Sequence, residues 1–109
     1  MNESEKDYKS AGQWAWFAER DARMRSAVNS SLFSDAQKIK AERVKLALEM
    51  CVFAEKIYIE YRKKFISVKV SNPKHTDKKT LKLLEGDWDK EGYTKVLTSQ
   101  GFTYRLFQA

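Results

Sequence analysis

From Asp35 to Lys64 the chain runs without a glycine or a proline. Nothing in that stretch punctuates a helix, and its apolar residues recur at helical spacing. Ile39, Arg43, Ala47, Met50, Ala54, Ile57, Tyr61 and Phe65 trace one stripe. Val44, Leu48, Cys51, Val52 and Ile59 trace a second. The pattern predicts one helix over 35–64, on the order of 45 Å long at about 1.5 Å per residue. Ser34 and Gln37 have the spacing of a capping box at its start, and Phe33 is placed to staple onto the next turn. Between Leu46 and Ala54 only Glu49 is charged, and a helix apolar on nearly all sides is covered on nearly all sides.

The first cover for that helix lies upstream. From Lys6 to Val28 the alanines Ala11, Ala15, Ala18 and Ala22 recur at spacings of four, three and four. Trp14, Phe17, Met24 and Val28 flank them, and a row of alanines lets a second helix approach closely. Asn29, Ser30 and Ser31 break the pattern, so two antiparallel helices are expected. One such partner cannot cover every side of 35–64. The remainder falls to the C-terminal segment or to a second copy of the chain.

After Phe65 the period changes. Ile66, Val68 and Val70 alternate with Ser67 and Lys69, which is a strand signal. Asn72-Pro73 reads as a turn closing the helical half. Thr76 or Asp77 caps a short helix through Leu84, ended by Gly86. Asp87 caps another, with Asp89 and Glu91 at its positive end, Trp88, Val96 and Leu97 inward, and Gly101 closing it. The rival for that last stretch is a hairpin, in which Tyr93 to Thr98 is a strand and Ser99-Gln100-Gly101 its loop. The helix is the expectation carried forward. Phe102 to Gln108 closes the chain as a strand. The expected fold is therefore α+β and helix-rich, one domain over 1–109. A long antiparallel helical hairpin (1–64) is followed by a small C-terminal unit (65–109) with one or two helices and two or three short strands.

Composition bounds the chemistry. At 109 residues and 42% apolar content the chain can bury about two-thirds of its surface without metal or disulfide staples. No apolar run approaches a membrane span, and Met1 to Ser10 is charged rather than apolar, so neither a membrane segment nor a signal peptide is expected. The expected location is cytoplasmic. His75 is the only histidine and lies among Lys74, Lys78 and Lys79; Cys51 is the only cysteine and reads as a small buried apolar residue. Asp87 and Glu91 share a helix face, but no further oxygen ligands are specified nearby. The glycines Gly12, Gly86, Gly92 and Gly101 are isolated, so no phosphate loop or dinucleotide fingerprint is present. No catalytic, cofactor-binding or metal-binding residues are assigned, and a non-enzymatic role is expected.

Two features point to partners. Residues 55–82 carry nine basic and three acidic side chains, so this quarter of the chain holds the whole net charge of +6. Arg62, Lys63, Lys64, Lys69, Lys74, Lys78, Lys79 and Lys82 form the expected basic patch, with Tyr58, Tyr61 and Phe65 interleaved at its start. The other feature is apolar surplus. Trp14 and Trp16 point to opposite sides of a helix, so Trp16, with Arg20 and Arg23, is expected to meet a protein partner. The first functional reading is a protein-interaction module, a small adaptor or inhibitor docking on a larger protein, on an acidic or nucleic-acid-handling surface, or on a second copy as a homodimer. The alternative is a nucleic-acid-binding protein that contacts phosphates through 62–82.

Overall fold

A computed structural model of the chain describes residues 23–108. Most of the expected first helix, with Trp16 and Arg20, lies outside them. Residues 23–29 are helical (α1) and run into a 3-10 turn at Ser30–Leu32. α2 spans Asp35–Cys51, and its capping box forms: Gln37 N–H donates to Ser34 Oγ at 3.3 Å and Ser34 N–H donates to Gln37 Oε1 at 3.1 Å. It buries Ala41, Val44, Leu48 and Cys51, a single stripe at spacings of three and four.

The long helical hairpin does not form. α2 stops at Cys51, where Val52 turns extended (φ −128°, ψ 123°) with its N–H still bonded to the Leu48 carbonyl. Val52–Tyr61 is a strand, β1. This stretch is rich in Val, Phe, Ile and Tyr, whose bulk near the backbone suits a pleated surface better than a helix. Its inward residues are Ile57, Ile59 and Tyr61, at a period of two. The spacing from Ile57 to Tyr61 to Phe65 is four each time, which fits a helical turn and two strand repeats equally. No glycine or proline marks the change, because the helix passes straight into the strand.

β2 (Phe65–Thr76) returns antiparallel to β1, with Tyr61 opposite Ile66 and Lys56 opposite Ser71. The expected division between 1–64 and 65–109 thus falls inside a β-hairpin, whose turn is closed by Arg62 N–H to the Phe65 carbonyl at 2.9 Å. Asn72-Pro73 is an irregularity within β2 rather than a boundary. Asn72 sits at φ 50°, and the register slips between Phe53 opposite His75 and Ala54 opposite Pro73. β4 (Gly101–Phe107) stops pairing with β2 at Ser71, so the missing Pro73 N–H interrupts no second ladder.

α3 (Lys78–Lys90) is one helix, not two. Asp77 caps it, taking the Thr80 N–H at 3.3 Å, and it continues through Gly86. Asp87 and Asp89 therefore lie in its last turn instead of opening a helix. The rival reading of the next stretch holds: Tyr93–Thr98 is a strand, β3, hairpinned to β4. Gly101 begins β4 where a Cβ would come 2.3 Å from the Val70 carbonyl oxygen, so only glycine fits against β2 there.

The four strands lie in the order β1-β2-β4-β3, with every pairing antiparallel. One face carries Ile57, Ile59, Ile66, Val68, Val70, Phe102, Tyr104 and Leu106 and is covered by α2 and α3. Val44 and Leu48 of α2 and Leu81 and Trp88 of α3 complete that core. Trp88 meets Tyr104 edge to face at 4.9 Å. Each fully buried side chain of this size contributes about 1.5–3 kcal/mol of transfer free energy.

Candidate functional site

The other face of the sheet takes the alternate residues. By register these are Lys56, Tyr58 and Glu60 on β1, and Phe65, Ser67, Lys69 and Ser71 on β2. β4 adds Thr103, Arg105 and Phe107, and β3 adds Thr94, Val96 and Thr98. Among the described residues, no helix packs across this face.

Its aromatic and cationic side chains are interleaved at short range. Lys56 Nζ lies 4.7 Å from the Tyr58 ring centre and Lys69 Nζ lies 6.0 Å from it. The Arg105 guanidinium lies 4.7 Å from the Phe65 ring centre, and Phe65 and Phe107 are in tilted contact at 5.2 Å. Ser67 and Thr103 lie on the same face and are 2% and 3% exposed. Glu60 is the one carboxylate on this face among the described residues. It pairs with Arg62 and receives Lys69 Nζ at 3.0 Å. Burial disfavours its charged form, but the bonds from Lys69 and Arg62 outweigh that and hold its pKa below the ordinary value.

At the outer edge of β1 the α1 segment closes part of the strand. Tyr61 N–H donates to Ser26 Oγ at 2.9 Å, and Asn29 Nδ2 donates to the Tyr61 carbonyl at 3.1 Å. These bonds satisfy an edge that would otherwise be open. Two adjoining hollows flank them. One, about 480 Å³, is lined by Arg23, Lys56, Tyr58 and Glu60. The other, about 410 Å³, is lined by Arg25, Arg62, Lys63, Lys64 and Phe65. The basic residues of α1 and of the 62–64 turn thereby rim the open face.

The structure divides the expected basic patch. Arg62, Lys63 and Lys64 form the β1–β2 turn, and Lys69 lies on the open face. Lys74 sits near the far end of β2, nine residues from Phe65, or about 30 Å at about 3.3 Å per residue. Lys78, Lys79 and Lys82 are on α3, in the helical layer. Of the expected protein-contacting residues, Arg23 is exposed on α1 and lines the larger hollow; Trp16 and Arg20 lie outside the described residues. The interleaved aromatics also divide. Tyr61 turns to the core, 6.0 Å from Phe33, while Tyr58 and Phe65 turn to the open face.

Lys56, Arg105 and Phe107 were not singled out by the sequence. The available signal was alternation, because Lys56-Tyr58-Glu60 interleaves with Ile57-Ile59-Tyr61, and Thr103-Arg105-Phe107 interleaves with Phe102-Tyr104-Leu106. Among the described residues no group of three or more His, Cys, Asp or Glu side chains comes together to hold a metal ion. Cys51 is buried, and burial, then the Asp77 charge, push its thiol pKa up, which leaves it a weak nucleophile. No described helix is long and apolar enough to cross a membrane. Comparisons with protein-family models, curated proteins and solved structures find no match for the chain.

Proposed function

We propose that the chain is a nucleic-acid-binding module that takes a single strand across the open face of its sheet. The observation that carries this is the pairing of Tyr58 with Lys56 and Lys69, and of Phe65 with Arg105, on one surface that no described helix covers. Aromatic rings stack bases whatever their sequence, and neighbouring cations neutralise phosphates. Arg62, Lys63 and Lys64 extend the phosphate path at one end. Lys74, Lys78, Lys79 and Lys82 are remote from it, so the site is a face and not the whole 62–82 segment.

Fluorescence anisotropy with labelled mixed-sequence single strands tests this. With about four phosphate contacts, affinity falls about 50-fold between about 50 and 200 mM salt. Lys69→Glu with Arg105→Glu removes most of the binding, whereas reversing Lys78 and Lys79 changes it little. Absent or salt-independent binding overturns the proposal.

A second reading rests on the outer surface of α2. Ile39, Leu46, Met50 and the adjoining Phe53 are 51%, 56%, 89% and 66% exposed. This stripe supports docking on a protein partner or a second copy. Sedimentation velocity across a concentration series reads self-association directly, and Leu46→Asp with Met50→Asp abolishes it if this stripe is the contact. A monomer at every concentration removes the homodimer form of the reading.

A further inference from the structure

On the helix-covered face, between α3 and β3, lies a cavity of about 300 Å³. Trp88, Tyr93 and Tyr104 wall it, and Glu85, Asp89 and Lys95 stand around it. Three features set it apart from a packing gap. Tyr93 and Tyr104 are 4% and 2% exposed; the Tyr93 hydroxyl has no hydrogen-bond partner, and the Tyr104 hydroxyl is turned to the Glu85 carboxylate outside ordinary hydrogen-bond geometry. Burial first, and then the Glu85 carboxylate, push the Tyr104 phenol up. Glu85 is itself held at 3.1 Å by Lys95 Nζ, which also lies 5.9 Å from the Tyr104 ring centre. Gly86 is the third feature. It lines the cavity from mid-helix, where glycine weakens the helix, and a Cβ there would meet nothing within 4 Å. Packing does not require this glycine, and an added side chain would enter open space.

We propose that this cavity binds a nucleobase-sized heteroaromatic ring bearing both an amino group and a carbonyl, presented as a nucleoside. The aromatic walls take the flat ring. The Glu85 and Asp89 carboxylates accept from an exocyclic amine, while Lys95 and the Tyr104 hydroxyl donate to a carbonyl oxygen. Guanine and cytosine carry both group types; adenine lacks the carbonyl and uracil lacks the amine. The volume sits at the small end of ligand pockets, which suits one or two fused rings. Two carboxylates beside the cavity repel phosphate, so the nucleoside binds better than its monophosphate. The site is on the opposite side of the sheet from the proposed single-strand surface and does not depend on it.

The test titrates the full chain with guanosine, cytidine, adenosine, uridine and guanosine monophosphate, following the Trp88 indole and Gly86 amide signals by NMR. Guanosine and cytidine should shift them saturably, about tenfold more tightly than adenosine or uridine, and guanosine more tightly than its monophosphate. Gly86→Leu should lose at least tenfold in guanosine affinity with its melting transition retained. Tyr104→Phe should weaken binding several-fold while leaving the fold intact, and Lys69→Glu with Arg105→Glu should leave nucleoside binding unchanged. No saturable shift with any nucleoside overturns the proposal. Equal binding of all four nucleosides, or guanosine binding unaltered by Gly86→Leu, overturns it as well.

Discussion

On β2, Ile66, Val68 and Val70 point toward the helices and are 0%, 0% and 2% exposed. Phe65, Lys69 and Ser71, on the same strand, point the other way and stay half-exposed. β4 repeats the division, with Phe102, Tyr104 and Leu106 buried and Arg105 and Phe107 outward. One backbone thus presents two chemistries at a period of two. Ser67 and Thr103 qualify the contrast: they belong to the second face by register and are as buried as the core. The helix-covered face is specified by shape and volume, where any void is costly. The open face is specified by charge and ring placement, where a lost side chain leaves water in its place.

Substitutions should therefore separate stability from binding. The largest effect belongs to the covered face. Leu48, fully buried on the inner side of α2, should cost about 2–5 kcal/mol as Leu48→Ala. Urea unfolding would read this as a lower midpoint at an unchanged slope. Next comes the open face, where Tyr58→Ser should lose about 1–3 kcal/mol of single-strand affinity, the worth of one stacked base. Its unfolding free energy should change by no more than about 0.5 kcal/mol, as is usual away from the core. A large stability loss in Tyr58→Ser would erase the distinction between the faces. Smaller again is Gly86→Ala, which should stabilise α3 by up to about 1 kcal/mol because nothing crowds the added methyl. A loss of stability there would show that the glycine serves packing after all.

How much of this was legible depended on the range of the interaction that decides each element. The Ser34–Gln37 box and the Asp77 cap are local, and both stand where the residues placed them. The alternation of Ile66, Val68 and Val70 is local too, and β2 forms around it. The junction at Cys51 and Val52 is not local. Cys51 can end a helix only because Ile57, Ile59 and Tyr61 find β2 to pair with, and that partner is supplied by the chain beyond the turn. The acidic residues Asp87, Asp89 and Glu91 misled in the same way, since they resemble a helix start and instead sit at a helix end. Of the proposed single-strand surface, Lys69 and the 62–64 turn were visible as a basic run. Lys74, Lys78, Lys79 and Lys82 belong to the same run, but β2 carries them to the far end and into the helical layer. Arg105 joins the site only through the register that sets it opposite Ser67.

The two faces should also respond to opposite ends of the pH scale. Tyr93 and Tyr104 of the covered face have phenols pushed up, by burial first and then by Glu91 and Glu85 respectively. A folded pKa above the unfolded value of about 10 means their contribution is complete below pH 10 and is lost as the pH rises beyond it. Their ionisation, followed by ultraviolet absorbance, should coincide with alkaline unfolding. Glu60 of the open face has the reverse sign. Its folded pKa lies below the unfolded value of about 4.3, so its contribution is complete above that pH and is lost as acidification passes through the folded pKa. Glu60→Gln removes that acid-side slope while leaving the alkaline limb in place. It also releases Lys69 and Arg62 from their internal carboxylate, so single-strand affinity at neutral pH should rise, with a steeper salt dependence. A fall in affinity would mean instead that Glu60 holds the two cations in the geometry the phosphates need.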